Sequence, residues 1–388
     1  MVTHVAVVIP CLNEQDHIAT TLRSLGFGGP PPPPETDLIL VDNGSTDLTW
    51  AVLGDFIEAG PPGRIHRIVE PIRGFVPPRH AGVRYAADLA RQRGQSASNV
   101  LILQGDADTV YLPDYVSRMR AAARPNALME GAIGRRRDSE EVPQSYRELE
   151  LRVDAVIRDL EVDDDQETLV DDKVCGYRLS DYEAWGGLVS EYCADGSEIH
   201  AETTRMFLRA RARANAERQR VDGAGALTSS RRIWEDPALY FSTAGFPRER
   251  SWVEGFRSRA GIHGGPAVEV GASRSVANNE AIRYRIGHSL VLFAILPRLV
   301  ARMLDKPRPA PHALREVLAE CEALTPEDLR ERPGRLLTGL LEMIDAPGSP
   351  LDGLVRSLTD AVSLAIPVSL DTDREPRRSK GSRWRRSK

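Results

Sequence analysis

Two aspartates, Asp106 and Asp108, directly follow the apolar run at residues 100–103. Carboxylates at this spacing could hold a divalent cation against a diphosphate, since Mg²⁺ is often bound by one or two carboxylates together with phosphate oxygens. Such a pair beside a buried strand would be costly without a cation or hydrogen-bond donors. The alternative is a surface turn that caps the next helix. Two other Asp-x-Asp pairs occur, but neither directly follows a strand-like run.

Two earlier apolar runs, at residues 7–9 and 38–41, also lead into polar segments. The polar residues that follow them include Pro10, Asn13, Glu14 and Asp42. Because the carboxyl ends of parallel strands share one edge of a sheet, where ligands of open α/β folds bind, we expect these residues near the aspartate pair. Asp42 could accept a hydrogen bond from a base N–H, or belong only to a turn and helix cap. Glu14 could contact a ribose and base, or be only a first-turn helix acid.

Strands and helices that alternate along the chain would position these residues. Apolar runs predict strands at 5–9, 38–41, 65–69, 100–103 and 127–133. Helical spacing predicts helices at 14–25, 47–59, 77 onwards, 114–123, 146–160, 180–185 and 202–214. Right-handed crossovers between the early strands predict a parallel sheet. The acidic stretch at residues 163–172 is predicted to be a solvated loop, and Thr325 with Pro326 to start a helix.

The length suggests two domains, or one domain with a large extension, and the composition is that of an ordinary globular protein. The 388 residues are 41% hydrophobic with a net charge of −5, so nothing indicates a nucleic-acid partner. The four cysteines form no C-x-x-C pair, which favours a reduced, cytoplasmic setting. We find no secretory signal, and we interpret the apolar stretch at 286–303 as a buried helix, because it is short for a membrane span.

A boundary is predicted near Ile233. It separates a domain at 1–233, with halves at about 1–110 and 111–233, from a mainly helical region at 234–372 and a basic tail at 373–388. The tail is predicted to be disordered; alternatively, it touches an anionic membrane surface with Trp384 at the interface, at the inner face of the membrane. The helical region could cover an acceptor site, mediate homo-oligomer formation or contact a membrane.

Taken as an ordered set, these motifs resemble the nucleotide-sugar half of family 2 glycosyltransferases with the GT-A fold. The segments that match this half are residues 8–14, 41–47, 74–82 and 105–108. Residues 176–187 resemble the family's acceptor-side segment, which ends in a Gly-Gly pair, and residues 228–232 resemble a Thr-Ser-x-Arg closure. The resemblance covers about three-fifths of the chain, and the family usually has Asn where His80 stands. It implies an α/β fold with a Rossmann-like, mostly parallel central sheet flanked by helices, and here a mainly helical C-terminal extension.

The resemblance implies an inverting transfer of a sugar from a nucleotide-diphosphate donor to a hydroxyl acceptor. Asp106 and Asp108 would hold Mg²⁺ or Mn²⁺ on the diphosphate. The residues implied for the nucleotide-sugar are Pro10, Asn13, Glu14, Asp42, Gly74, Arg79 and Asp106.

A carboxylate on the acceptor side would be the general base. The family has an acidic pair at the start of the helix after the Gly-Gly pair, where this chain has Glu202 followed by Thr203. Glu202 is therefore the first candidate for the base, Asp195 the second and Glu198 the third. His200 and His263 could add a metal ligand, although surface or structural histidines are favoured because no ligand spacing supports them.

Two other classes of function stay open on sequence alone. One is a sugar nucleotidyltransferase, which would share the carboxylates and metal but normally has a glycine-rich loop after the first strand. The other is a non-catalytic nucleotide-sugar-binding protein, which the altered acidic pair at Glu202 motivates.

Overall fold

The computed structural model describes residues 1–28, 35–61, 63–135, 142–243, 245–261 and 279–364. Two predictions lie outside these residues: the metal-ligand alternative for His263, and the basic tail at 373–388 with its membrane alternative.

Within the described residues, eight strands form one mixed sheet in the order β3-β2-β1-β4-β7-β6-β8-β5. Strands β1 to β4 are parallel to one another, β7 is antiparallel to both β4 and β6, β8 is parallel to β6, and β5 is antiparallel to β8. The strands are β1 (His4–Cys11), β2 (Thr36–Asp42), β3 (Ile65–Val69), β4 (Val100–Gln104), β5 (Thr109–Tyr111), β6 (Ala127–Arg135), β7 (Cys175–Arg178) and β8 (Glu217–Thr228).

Helices cover both faces of the sheet and build most of the chain after β8. The earlier helices are α1 (Ile18–Ser24), α2 (Thr49–Ala59), α3 (Val76–Gln92), α4 (Tyr115–Ala122), α5 (Gln144–Ile157), α6 (Leu179–Trp185) and α7 (Glu202–Ala214). The later ones are α8 (Arg231–Glu235), α9 (Pro237–Thr243), α10 (Arg250–Arg259), α11 (Asn279–Leu290), α12 (Leu296–Met303), α13 (Arg315–Glu320), α14 (Pro326–Glu331), α15 (Pro333–Glu342) and α16 (Pro350–Leu364).

Strand β1 shows why the sheet is buried on both faces. Val5, Val7 and Ile9 pack into a core with α1 and α2, whereas Ala6 and Val8 pack into a second core with α3, α6 and α7. Side chains alternate between the two faces of a strand, so a strand covered on both faces must be apolar at nearly every position. This explains the continuous apolar runs by which the central strands were predicted.

The helical region after residue 233 shares a third core with α5 and α7. Its central helix runs from Asn279 to Met303 and is the one described helix that is long and apolar enough to cross a membrane. Of its most apolar window, 94% is buried inside the protein, which agrees with the predicted core helix. The predicted boundary near Ile233 stays a prediction, because helices from both sides contribute to this core.

A π-helical turn interrupts that central helix at Val291–Ile295, just before Pro297. Proline has no N–H to donate to the carbonyl four residues earlier, which belongs to Phe293. That carbonyl accepts a hydrogen bond from the backbone N–H of Val162 instead, at 2.9 Å. This hydrogen bond ties the central helix to the segment that follows α5.

Candidate functional site

A cavity of about 510 Å³ lies at the carboxyl end of strands β1, β2 and β4. Parallel strands end together at this edge, so the segments that follow them meet. Residues from the second half of the chain and from the region after residue 233 complete its wall. Seven of the eleven residues predicted for the site line the cavity: Pro10, Glu14, Gly74, Arg79, Asp106, Asp108 and Glu202.

Arg79 lies at the centre of the cavity's charged groups and is only 5% exposed. Its Nη2 donates to Oδ1 of Asp106 at 2.6 Å and to Oδ2 of Asp172 at 2.7 Å, and its Nε donates to Oε1 of Glu202 at 2.8 Å. The α3 residue therefore joins the end of β4 to two acidic segments from much later in the chain. Burial alone would lower the pKa of the guanidinium, but the three carboxylates raise it well above its usual value.

Asp172 corrects the prediction that residues 163–172 form a solvated loop. Asp171 and Asp172 line the cavity, and Glu167 is only 1% exposed. Burial works against the charge of Asp172, but Arg79 and Lys173 outweigh it and hold the pKa of this carboxyl well below its usual range. The stretch contains several acids because buried cations need partners.

Glu202 begins α7 and is 3% exposed. Burial raises the pKa of its carboxyl, while Arg79 opposes that shift. Its Oε1 accepts from Arg79, whereas Oε2 has no hydrogen-bond partner among the residues that the structure describes. Glu202 is therefore a cavity-lining carboxyl with a raised pKa, which is the property expected of a general base.

An ion pair between Glu14 and Arg231 joins the first half of the chain to α8. Nη2 of Arg231 lies 3.1 Å from Oε1 of Glu14 and 3.7 Å from Oδ2 of Asp108. Burial raises the pKa of Glu14, and Arg231 works against this shift. The arginine of the segment at 228–232 thus lies beside one acid predicted to bind the donor, Glu14, and one predicted to bind the cation, Asp108.

Asn13 and Asp42 do not line the cavity, although they are adjacent to residues that do. Asn13 has a left-handed backbone (φ 56°), and its Oδ1 accepts from the backbone N–H of Thr46 at 2.8 Å. Asp42 is 7% exposed and pairs in register with Cys11 at the ends of β2 and β1. In this structure Asn13 and Asp42 shape the strand ends, and the neighbouring Asn43 lines the cavity.

The second and third candidates for the base also lie outside the cavity wall. Oδ1 of Asp195 accepts from the backbone N–H and the hydroxyl of Ser197 on the surface. The Glu198 carboxylate accepts from the backbone N–H groups of Phe75 and Val76 at 2.6 and 3.3 Å, and so caps the start of α3. Both carboxylates thus have local structural partners, which leaves Glu202 as the predicted base candidate that faces the cavity.

The two histidines discussed from the sequence have apolar and aromatic neighbours. His200 lines the cavity, stacks on Phe246 and is buried enough that its pKa falls well below its usual value. Nδ1 of His80 lies 2.7 Å from the Tyr182 hydroxyl, and burial lowers the pKa of this histidine. A histidine in the usual asparagine position of the family therefore contacts α6.

Two carboxylates, Asp106 and Asp108, are available for a divalent cation at this edge of the sheet. The described residues contain no group of three or more His, Cys, Asp or Glu side chains placed to hold a metal. A cation held by one or two carboxylates together with a substrate diphosphate would not need such a group. The side chains of Asp106 and Asp108 remain 20% and 14% exposed, so each keeps access from the cavity.

Sequence reasoning missed several cavity residues, among them Asp172, Lys173, Arg232 and Arg248. Lys173 follows two acids directly before β7. A cation beside acids at the start of a buried strand indicates ion pairs in the interior, and this could have identified Asp172 from the sequence. No local pattern marks Arg248, which reaches the cavity from the loop between α9 and α10.

Residues 6–183 match the family model described as Glycosyl transferase family 2. No curated protein matches the chain.

Solved structures resemble the chain at low identity. TarS 1-349 of S. aureus in complex with UDP-GlcNAc has 14% identity and a TM-score of 0.43, with 93% of this chain and 92% of that one covered. Mannosyltransferase PcManGT from Pyrobaculum calidifontis in complex with GDP-Man and Mn²⁺ has 14% identity and a TM-score of 0.45, with 94% of this chain and 86% of that one covered. A mycobacterial protein has 16% identity and a TM-score of 0.32, with 58% of this chain and 65% of that one covered.

Proposed function

Since residues 6–183 form a family 2 glycosyltransferase domain, we propose that this glycosyltransferase moves a sugar from a nucleotide-diphosphate donor to a hydroxyl acceptor. In this proposal the reaction is a single displacement that inverts the anomeric carbon, and Mg²⁺ or Mn²⁺ assists it. The observation that carries the proposal is the position of Asp106 and Asp108. Both follow β4 and face a cavity that Glu14 and Glu202 also line.

The donor would occupy the part of the cavity at the ends of β1 and β4. Pro10 and Glu14 line it there and would contact the nucleoside, while Asn13 and Asp42 would hold the strand ends in place. Asp106 and Asp108 would hold the cation. When bound, the cation would offset the negative charge that develops on the departing nucleoside diphosphate.

The acceptor hydroxyl would approach from the side of α7. Glu202 would take its proton at Oε2, the oxygen that has no partner among the described residues. Arg79 would keep Glu202 and Asp106 in fixed relative positions, because one guanidinium binds both carboxylates. In this proposal the acceptor hydroxyl attacks the anomeric carbon from the side opposite the departing diphosphate, as an in-line displacement requires.

Substitutions of the aspartate pair test this proposal. Asp106→Asn or Asp108→Asn should abolish sugar transfer and Mn²⁺-dependent nucleotide binding, while the thermal unfolding midpoint shows that the protein stays folded. The matched control is Asp55→Asn, since Asp55 is an exposed aspartate on α2 away from the cavity. Thermal-shift measurements with nucleoside diphosphates and their sugars, with and without Mn²⁺, would identify the donor beforehand.

Three results would contradict the proposal. Unchanged turnover in both aspartate variants would remove the role of the pair. Release of pyrophosphate from a nucleoside triphosphate would instead indicate a sugar nucleotidyltransferase. Nucleotide-sugar binding without transfer or hydrolysis across many acceptors would indicate a binding protein.

A further inference from the structure

Three arginines of the cavity wall, Arg232, Arg248 and Arg285, have no carboxylate partner among the described residues. The guanidinium of Arg285 donates to the carbonyl oxygen of Phe241 at 3.5 Å, which leaves Arg232 and Arg248 for consideration. The lining cations that pair with a carboxylate are Arg79, Lys173, Arg135, Arg218 and Arg231. The guanidinium groups of Arg232 and Arg248 also line the cavity, but neither has an ion-pair or hydrogen-bond partner in the described part of the chain. An arginine without an anionic partner on a cavity wall is available to bind an anion.

Arg248 is held in place by its neighbours rather than by its own charge. The ring of Phe246, two residues earlier, stacks on His200 with the ring centroids 6.1 Å apart. The carboxylate of Glu249, the next residue, accepts a hydrogen bond from the His200 backbone N–H at 2.8 Å. The loop between α9 and α10 is therefore fastened to the segment that leads into Glu202.

Arg232 is positioned in a similar way by the residue before it. Arg231 pairs with Glu14 and so fixes the first turn of α8, leaving the Arg232 side chain on the cavity wall. Both arginines thus come from segments that packing and ion pairs fix. A pre-organised cation loses less conformational freedom when it binds an anion.

Arg232 and Arg248 carry like charges on the wall of the same cavity. Burial and the charge of Arg232 lower the pKa of Arg248, while Asp172 and Asp106 act in the opposite direction from beyond ion-pair distance. Arg248 also contributes to the low pKa of His200. An anion between Arg232 and Arg248 would offset these like charges, and a guanidinium binds phosphate or carboxylate oxygens in bidentate geometry.

We infer that Arg232 and Arg248 form an oxyanion subsite for the acceptor, so that the acceptor hydroxyl belongs to a molecule with a phosphate or carboxylate group. This inference rests on the proposed function. The acceptor is favoured over the donor because the Arg248 loop is fastened beside Glu202. The helical region after residue 233 would thereby help to select the acceptor.

Calorimetric titration of the full chain, saturated with nucleoside diphosphate and Mn²⁺, tests the inference. The probes are glucose 6-phosphate, glucuronate and glucose, and a repeat without nucleotide detects the anion subsite independently of donor binding. We expect the two anionic probes to bind at least about tenfold more tightly than glucose, and Arg248→Gln or Arg232→Gln to remove most of that difference.

Arg250→Gln is the matched control, because Arg250 lies two residues from Arg248 but is exposed and paired with Glu254. It should leave the binding of all three probes unchanged, and Arg248→Lys should retain part of the anion preference. Equal binding of glucose and the anionic probes would overturn the inference, as would unchanged anion binding in Arg248→Gln.

The donor phosphates are the other source of an anion at this position. If Arg248→Gln weakens nucleoside diphosphate binding as much as probe binding, the arginines serve the donor and the acceptor inference is overturned, while the glycosyltransferase proposal stands. Conversely, anion-selective binding in a protein that binds no nucleotide would support the subsite and contradict the proposed function.

Discussion

Nε of Arg79 lies 2.8 Å from Oε1 of Glu202, so a buried arginine on α3 fixes the acid that begins α7. The same guanidinium binds Asp106 and Asp172. One side chain therefore links the proposed cation site, the proposed base and a third carboxylate. Removal of Arg79 would leave buried carboxylates without compensation, which typically costs about 3–5 kcal/mol.

Glu202→Gln should lower kcat by roughly 10²–10⁴-fold with little change in nucleotide affinity, because the amide cannot accept the proton but still fits the site. In the wild-type enzyme, activity should rise with pH as Glu202 loses its proton. That rise should lie above the range of an ordinary glutamate, since burial raises the pKa of this carboxyl. Steady-state rates across pH, with nucleotide binding measured in parallel, check both expectations.

The variants Asp195→Asn and Asp172→Asn test whether another acid, rather than Glu202, is the general base. Asp195→Asn should leave kcat unchanged, because the Asp195 carboxylate lies on the surface with Ser197. A large loss of kcat in Asp172→Asn combined with normal turnover in Glu202→Gln would move the role of base to Asp172. The low pKa of Asp172 argues against that outcome, because a strongly stabilised carboxylate is a weak base.

The sequence was most informative where one local pattern determined one structural feature. Strands β1, β2 and β4 were predictable, because a strand buried on both faces needs a continuous apolar run. The positions of Asp106 and Glu14 then followed from the common edge of parallel strands. The start of α14 at Pro326 was likewise visible, since Thr325 and Asp328 form a capping box within four residues.

Features set by distant residues were not predictable in this way. Strand β8 was missed because its outer residues are charged and its pairing with β6 shifts register between Glu130 and Ala132. Asp172 gains its place from Arg79, which lies 93 residues earlier. Arg248 enters the cavity through packing of the C-terminal helical region, which no short pattern encodes.

Gly82→Ala should destabilise the protein by roughly 1–3 kcal/mol, because overpacking of a tight core costs about that much. A Cβ atom at Gly82 would lie 2.3 Å from Cγ1 of Val8 and 3.1 Å from Cγ2 of Val41, where α3 crosses β1 and β2. Gly339→Ala is the control, since Gly339 is an exposed helical glycine with nothing within 4 Å of the added atom. The Gly339→Ala control should raise the free energy of unfolding by roughly 0.5–1 kcal/mol, because alanine has a higher helix propensity than glycine. Urea unfolding measures the stability of both variants. Equal changes in the free energy of unfolding would show that α3 is not closely packed against β1 and β2 at Gly82.

His288 lies in the core of the helical region, beside Trp252 and Tyr284. Its Nδ1 is 2.6 Å from the carbonyl oxygen of Ser242, and Nε2 has no partner among the described residues. Burial lowers the pKa of this histidine to about 4, so it is neutral in the folded protein at physiological pH. In the unfolded chain a histidine has a pKa of about 6.5.

Stability should therefore fall as the pH drops from about 6.5 to about 4, because the unfolded chain takes up a proton that folded His288 resists. At low pH the resulting loss in the free energy of unfolding reaches roughly 3 kcal/mol. The loss vanishes above pH 7, where His288 is neutral in both the folded and the unfolded chain. His288→Gln should remove that part of the slope, whereas His312→Gln should not, since His312 is exposed. Urea unfolding at several pH values measures the slopes, and the contributions of His80 and His200 cancel when the variants are compared with the parent. An identical slope in His288→Gln and the parent would mean that the folded core admits a charged imidazole at this position.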